Sequence, residues 1–360
     1  MANKKSENLK IAMSLIDKDK NIIIPEYEEG RETSPNQYVR FGEKNLYPNQ
    51  LHDMVRNSVT MQAVLNGTVN FIKGQDAKLR DDIRLAYYPF MNKNRETEQD
   101  LIEQMGRDIF IYGGCYLHII KNRLGDIAEL YVIPFDYMRT NYQCDKFWYS
   151  RYWGKYGGKN IIYSAYDKTS DATSMIYYYN STRNRSTYPE SPVTSSFEDM
   201  IIENISQKYS TISLDNGLSA KHIINLPDSA NLTDEEKSKI EKGIKDKFTG
   251  VANAGSFMIY YAPTTDPLGI TKLDMDNTND IFTTLRNSAQ DNIFISCNAI
   301  PELFGVKKSG TGFNAVEYNT AYQIYNNIKV IPIQNKIKEI FEVIFGQNAI
   351  TITPYKTNLE

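Results

Sequence analysis

Ile300-Pro301-Glu302-Leu303-Phe304-Gly305-Val306-Lys307-Lys308-Ser309-Gly310-Thr311-Gly312-Phe313-Asn314-Ala315-Val316-Glu317 is a short polar, glycine-bearing stretch between two long helical patterns. Ahead of it, apolar residues recur at Ile281, Leu285, Ala289 and Ile293, and Phe282, Phe294 and Cys297 widen the stripe. That is helical periodicity, which Pro301 is expected to stop, because proline has no N–H to donate and its ring collides with the preceding turn. Behind it, Tyr318, Ala321, Tyr322, Tyr325 and Ile328 restart the same period until Pro332, which should kink or break the helix. Ile333, Ile337, Ile340, Phe341 and Ile344 then resume it. The predicted order is helix, loop, kinked helix, and the loop is the part of the chain expected to touch function.

Working outward, residues 1–45 are mostly polar, with Tyr27 and Tyr38 placed without clear period, and read as an extended or partly ordered arm. Pro48, at a favoured first helical position, opens a helix carrying Leu51, Val55, Val59, Ala63 and Val64 towards a stop at Gly74. Thr97 with Asp100 reads as a capping box for a second helix through Leu101, Met105 and Ile109, ended by Gly113-Gly114. From Cys115 to about Tyr179 the pattern turns to β, with alternation at Tyr116 and His118, a turn at Arg123-Leu124-Gly125-Asp126, and aromatic runs from Phe147 to Tyr156 and Ile176 to Tyr179. Asn180 to Ser196 reads as a loop. A helix then carries Phe197, Met200, Ile201, Ile205 and Tyr209 and ends before Gly217. Residues 218–275 are expected to hold a short strand at Ile223-Ile224-Asn225-Leu226, a helix capped by Thr233 and Glu236, and a strand from Ser256 to Tyr261. The stripe of that helix, Ile240, Ile244 and Phe248, is narrow among Lys237, Lys239, Glu241, Lys242, Lys245, Asp246 and Lys247, so most of it should face water.

Composition narrows the function classes. At 360 residues and 41% hydrophobic, the chain can form two or three packed units. No segment approaches the roughly 18 consecutive apolar residues of a spanning helix, and the N-terminus shows no apolar core of a signal peptide, so the chain is expected to stay where it is made. Cys115, Cys144 and Cys297 are too few and scattered for a disulfide framework and read as reduced thiols. With 41 basic and 44 acidic side chains the net charge is −3. Gripping duplex DNA takes a Lys or Arg for each neutralised phosphate, so tight DNA binding is not expected.

The search for reaction chemistry is mostly negative. His52, His118 and His222 stand in no metal-ligand spacing, and His118 sits on an alternating strand as a structural histidine. Asp274, Asp276 and Asp280 imitate a calcium loop. However, Asn279 stands where glycine is needed for the turn and Leu285 where a bidentate glutamate should close the site. The carboxylates fit better as an acidic cap at the positive end of a helix starting near Asn279. Gly305 to Gly312 contains no Gly-Lys-Ser/Thr and follows no strand, so it is no phosphate loop, and no GxSxG occurs. Neither an enzyme nor a cofactor or metal site is expected.

The order helix, IPELFGV, loop, kinked helix, with Leu303-Phe304-Gly305 at the loop entrance and Glu317 on the next first turn, resembles the C-terminal half of tailed-bacteriophage portal proteins. Asn45-Leu46-Tyr47-Pro48-Asn49-Gln50-Leu51 before an apolar helix resembles the start of their wing. So does Tyr112-Gly113-Gly114-Cys115-Tyr116-Leu117-His118-Ile119-Ile120-Lys121-Asn122, followed by Leu124-Gly125-Asp126-Ile127-Ala128-Glu129-Leu130 and Ile133-Pro134. Leu232-Thr233-Asp234-Glu235-Glu236, with Phe248-Thr249-Gly250 and Asn253-Ala254-Gly255-Ser256, resembles their clip. The four stretches follow the family's order and span most of the chain.

The resemblance implies an α+β portal fold, with an N-terminal arm (1–45), a mixed α/β wing (46–195) and a two-helix stem (196–216 and 277–300). It further implies a small αβ clip (218–275), a tunnel loop (304–316) and wing or short crown helices (317–360), the short crown departing from larger portals. It implies a structural protein of the virion, assembled in the host cytoplasm into a homo-oligomer, a dodecamer, at one capsid vertex. Its partners would be the major capsid protein, the terminase large subunit, a head-tail adaptor and the double-stranded DNA that passes through the channel during packaging and ejection, with no membrane. The near-neutral charge suits a channel through which DNA slides. Lys307, Lys308, Ser309, Gly310, Thr311 and Gly312 would face the DNA, with Pro301 and Gly305 as the loop's hinge, and Lys239, Lys242 and Lys245 on the clip would meet partners. The alternatives are a head-tail adaptor, usually a much shorter chain, or a metal-dependent DNA-processing enzyme, for which Asp274 and Asp276 would need a third acid.

Overall fold

The computed structural model describes residues 24–30, 37–87, 89–153, 160–183, 185–215, 222–226, 233, 235–236, 238–239, 257–261, 269–272, 276–306 and 315–355. These form two compact units, residues 202–292 and the remainder of the chain on either side.

The first unit opens with chain expected to be a loose arm. Instead, Val39 and Phe41 are buried in the unit's own core, with Phe41 stacked on Tyr188 at 4.2 Å and on Tyr47 at 4.8 Å. Residues 1–23 and 31–36 lie outside the described residues. The single helix expected from Pro48 to Gly74 is two: α1 (Tyr47–Asn57) and α2 (Val59–Lys73). Ser58 between them has extended backbone angles, and its hydroxyl accepts from the Met61 N–H at 3.1 Å. A serine that can cap the next helix offers the backbone an alternative to continuing the first. After β1 (Asp76–Leu79) and the short α3 (Asp81–Tyr87), α4 (Glu98–Tyr112) has the predicted capping box, the Asp100 carboxylate accepting from the Thr97 N–H at 2.8 Å. It ends at Gly113, in the left-handed conformation that glycine adopts without a Cβ penalty.

A six-stranded sheet follows, built from β2 (Gly114–Lys121), β3 (Ile127–Ile133), β4 (Met138–Thr140), β5 (Lys146–Tyr149), β6 (Ile161–Ala165) and β7 (Ser174–Asn180). Their order is β3-β2-β7-β6-β5-β4, antiparallel except between β6 and β7. Tyr116 and Tyr178, paired across β2 and β7, stack at 4.4 Å. Phe147 and Phe135 join them, and Phe135 stacks on Tyr112 of α4. Aromatic surface is thereby packed between sheet and helix. Each outer strand is met at one point by a segment of the same unit. Val39 N–H donates to Thr140 O on β4 at 2.8 Å, and Leu130 N–H on β3 donates to Met91 O at 3.1 Å. The loop expected from Asn180 to Ser196 is tightly built in, since buried Tyr188 donates from its hydroxyl to Val39 O at 2.6 Å.

The second unit carries most of α5 (Phe197–Asp215), then β8 (His222–Leu226), β9 (Phe257–Tyr261), β10 (Gly269–Lys272) and most of α6 (Asp276–Ser296). The sheet order is β10-β8-β9, with β8 and β9 parallel. Parallel neighbours need a crossover, and helical residues 235, 236, 238 and 239 lie within it. The predicted box is present: the Glu236 carboxylate accepts from Thr233 N–H at 2.9 Å. β10 was not anticipated from the sequence. α6 begins at Asp276, three residues before the expected start, and ends at Ser296 rather than at Pro301.

The chain then returns to the first unit as α7 (Ala315–Tyr325), a π-turn (Asn326–Val330), α8 (Ile331–Phe345) and β11 (Ile350–Thr353). The expected kink at Pro332 is this π-turn. Proline 332 removes the N–H that Ile328 O would receive and crowds that carbonyl, and the wider turn absorbs both effects. β11 pairs antiparallel with β1. Buried Gln334 donates to the Ile72 carbonyl at 2.9 Å, satisfying a group that the end of α2 leaves open.

Candidate functional site

The loop's entrance is built from the end of α6. Asn298 takes a positive φ of 52°, which turns the chain out of the helix before Pro301 is reached. Pro301–Phe304 then form one 3-10 turn, with proline at its start, where the missing N–H costs nothing. Gly305 closes the turn with φ 82°, and Val306 N–H returns to Pro301 O at 3.1 Å. A side chain at Gly305 would meet open space, so its backbone angle, rather than crowding, requires glycine.

Phe304 anchors this turn. Its ring occupies the space beside Gly67 of α2, where a Cβ would lie 2.6 Å from Phe304 Cδ1. Tyr325 meets the same ring edge-on at 5.5 Å, Phe294 lies at 6.2 Å and Phe71 at 6.3 Å. The loop's exit helix is tied to the same place. The Tyr325 and Thr68 hydroxyls are hydrogen-bonded at 2.6 Å, and Thr68 Oγ1 lies 2.6 Å from Val64 O. Phe71 also packs on Tyr322, whose hydroxyl donates to Tyr355 O at 2.9 Å. Burial pushes the Tyr325 phenol well above its ordinary range, so it stays a neutral donor. Below it the Lys329 amine lies 5.0 Å over the Phe110 ring, and burial lowers its pKa. The turn before the loop and the far end of the helix after it thus rest on one face of α2.

Of the residues expected to line the channel, Lys307, Lys308, Ser309, Gly310, Thr311 and Gly312 lie outside the described residues, as do Lys242 and Lys245. Lys239 is exposed and helical. Pro301 opens and Gly305 closes the 3-10 turn at the loop's base. Asp276 is the first residue of α6, and Asp274 lies outside the described residues. His118 Nε2 lies 2.6 Å from the Ser174 hydroxyl, and burial lowers its pKa. Among the described residues, no group of three His, Cys, Asp or Glu could hold a metal ion, and no helix is long and apolar enough to cross a membrane. All three cysteines are free. The aromatic anchor around Phe71 and Gly67 was missed, although Phe71 lies on the apolar stripe of a predicted helix.

The sequence model described as phage portal protein matches residues 54–345. A chain of the virion of a native gene transfer agent particle has the same fold, with a TM-score of 0.59, 16% identity, and coverage of 89% of this chain and 86% of that one. A chain in the neck of that particle, computed with C12 symmetry, gives 0.57 at 17% identity over 85% and 84%. An HK97 family phage portal protein from Corynebacterium diphtheriae gives 0.54 at 11% identity over 84% and 93%. No curated protein matches the sequence.

Proposed function

The chain belongs to the phage portal protein family, and from that premise we propose that it is the repeating subunit of a ring at one vertex of a phage head, through which double-stranded DNA is packaged and ejected. The observation that carries this reading is the family match over residues 54–345, which includes the loop and the elements on either side of it. Twelve copies are proposed, in keeping with the C12 symmetry of the similar neck chain. In this assignment α5 and α6 are the stem helices, residues 218–275 the clip that terminase and then a head-tail adaptor grip, and residues 304–316 the tunnel loop. A turn packed at Phe304 before a glycine-bearing span suits a loop that must hold its place while DNA moves past. Ring symmetry would repeat Lys307 and Lys308 around the duplex. Exposed contacts between lysine and phosphate are individually weak and salt-screened, so such a ring would centre DNA without stalling it.

The test replaces both lysines by alanine. Rings should form normally and be counted in end-on electron micrographs, while packaging efficiency or retention of packaged DNA falls. Normal packaging and retention of full-length DNA by the double variant would remove the charges from the mechanism. Charge reversal at Lys239, Lys242 and Lys245 should weaken partner docking with rings intact, because electrostatic contacts let one partner leave and another arrive. Loss of the ring itself would mean that these residues do not belong to a clip.

A further inference from the structure

The helix after the loop is packed on one side only. Ala321, Tyr322 and Tyr325 of α7 are buried, the two tyrosines against Phe71 of α2. On its other side Val316, Ile324 and Ile328, the last within the π-turn, are 73%, 49% and 57% exposed. Thr320 falls between them, also exposed. Steps of four residues keep to one side of a helix, so these positions form one stripe. The Thr320 hydroxyl donates to Val316 O at 2.9 Å, so its proton is already used within the helix.

The stripe is also without charge. Between Ala315 and Ile328 the sequence holds one charged residue, Glu317, and the exposed neighbours Gln323 and Asn327 are amides. On α8, which continues the same helix past the π-turn, the exposed residues include Lys336, Glu339 and Glu342. A single exposed aliphatic side chain needs no explanation, but several on one uncharged stripe match the depletion of charge at the core of a protein interface. Duplex DNA would need a Lys or Arg for each neutralised phosphate, and none occurs from Ala315 to Ile328. Partners that come and go suit charged surfaces, whereas contacts that last are more apolar. Ring subunits keep their neighbours for as long as the ring exists.

We infer that a second copy of this chain covers the α7 stripe, so that Val316, Thr320, Ile324 and Ile328 form one side of the seam between adjacent subunits. The inference rests on the ring reading above and adds where the copies touch. A closed ring joins unlike surfaces head to tail, so each copy offers its stripe to one neighbour and a different surface to the other. Ile324→Glu combined with Ile328→Glu should shift the particles counted by mass photometry from rings to single chains. The concentration needed for assembly should rise about a hundredfold or more, because unpaired charge would be buried at every seam. Val343→Glu makes the same change on α8, at a position 50% exposed, and should leave rings intact. Mixed into unaltered protein, the double variant should cut rings short, since its other surface still docks while its stripe accepts no further copy. Ile324→Cys gives a readout without added charge. Maleimide labelling of its peptide should slow about tenfold or more once rings form, as a covered thiol is shielded from the reagent, and labelling of Val343→Cys should not. Full-sized rings from the double variant, or equal labelling of Ile324→Cys in rings and in single chains, would overturn the inference and leave the ring reading standing. Equal loss of rings in Val343→Glu would trace the effect to added charge in general and overturn it as well. An unaltered protein that stays a single chain at micromolar concentration would overturn both readings.

Discussion

A side chain at position 67 and the ring of Phe304 cannot occupy the same space, given 2.6 Å between a Cβ there and Phe304 Cδ1. Gly67→Ala should therefore force the ring aside and cost about 1–3 kcal/mol. In the double variant with Phe304→Ala the added methyl finds room, so the two losses should not sum. Additivity in denaturant unfolding, within about 0.5 kcal/mol, would show that the two residues do not meet. Asp108 invites a pH test. Its pKa is raised in the folded state, so its deprotonation burdens only the fold, and that burden grows as pH climbs above the ordinary carboxylate range. Asp108→Asn keeps an acceptor for the Phe135 N–H and loses the charge. It should unfold at a higher temperature than the unaltered protein, by a wider margin at pH 8.5 than at pH 5.5. A margin independent of pH would refute the assignment. The two residues differ in legibility. Asp108 stands seven residues after Leu101 and four before Tyr112, a lone acid on the stripe of a predicted helix, and so could have been singled out. A helical glycine shows nothing of the ring that a distant turn lays against it.

Elements were legible where local chemistry sets them. The capping boxes of Thr97 and Thr233, the Gly113 stop and the β2–β3 hairpin stand as the sequence placed them. The break at Ser58 was missed because the apolar stripe runs through it, and a stripe does not register a cap in its midst. Ser58→Ala should cost about 1 kcal/mol through loss of the acceptor for the Met61 N–H, measured by thermal unfolding. No change would mean that water serves the start of α2 equally well. The π-turn also left a trace. Buried positions step by five from Tyr325 to Val330 before returning to threes and fours, and that extra residue rotates α8 relative to α7 so that Tyr325 and Ile337 are both buried. β10 depends on a partner far back in the chain, which a four-residue run does not announce, and the parallel β6–β7 contact rests on just Ser164 with Met175 and Ala165 with Ile176.

At the scale of the whole molecule, each outer strand of the six-stranded sheet shares a backbone hydrogen bond with the unit's own chain, at residue 39 on one side and residue 91 on the other. Those contacts hinder strand-to-strand addition of another copy at these positions. Val39→Pro would remove the donor to Thr140 O. Concentration-dependent light scattering should then rise above that of the unaltered protein. If scattering stays flat, the edge is protected by something else. The polar composition of residues 1–45 concealed this role, because Val39 and Phe41 are isolated apolar residues with no period to betray them. The pairing of Leu79 with Ile350 has a consequence in time. Among the described residues β11 is the strand that pairs with β1, and residues 80–349 lie between them, so the β1–β11 sheet cannot close until that long stretch has been made. Prematurely terminated chains would lack β11 and remain open. Translation errors of that kind would be sorted out by folding itself, since a chain cut short there exposes an unpaired β1.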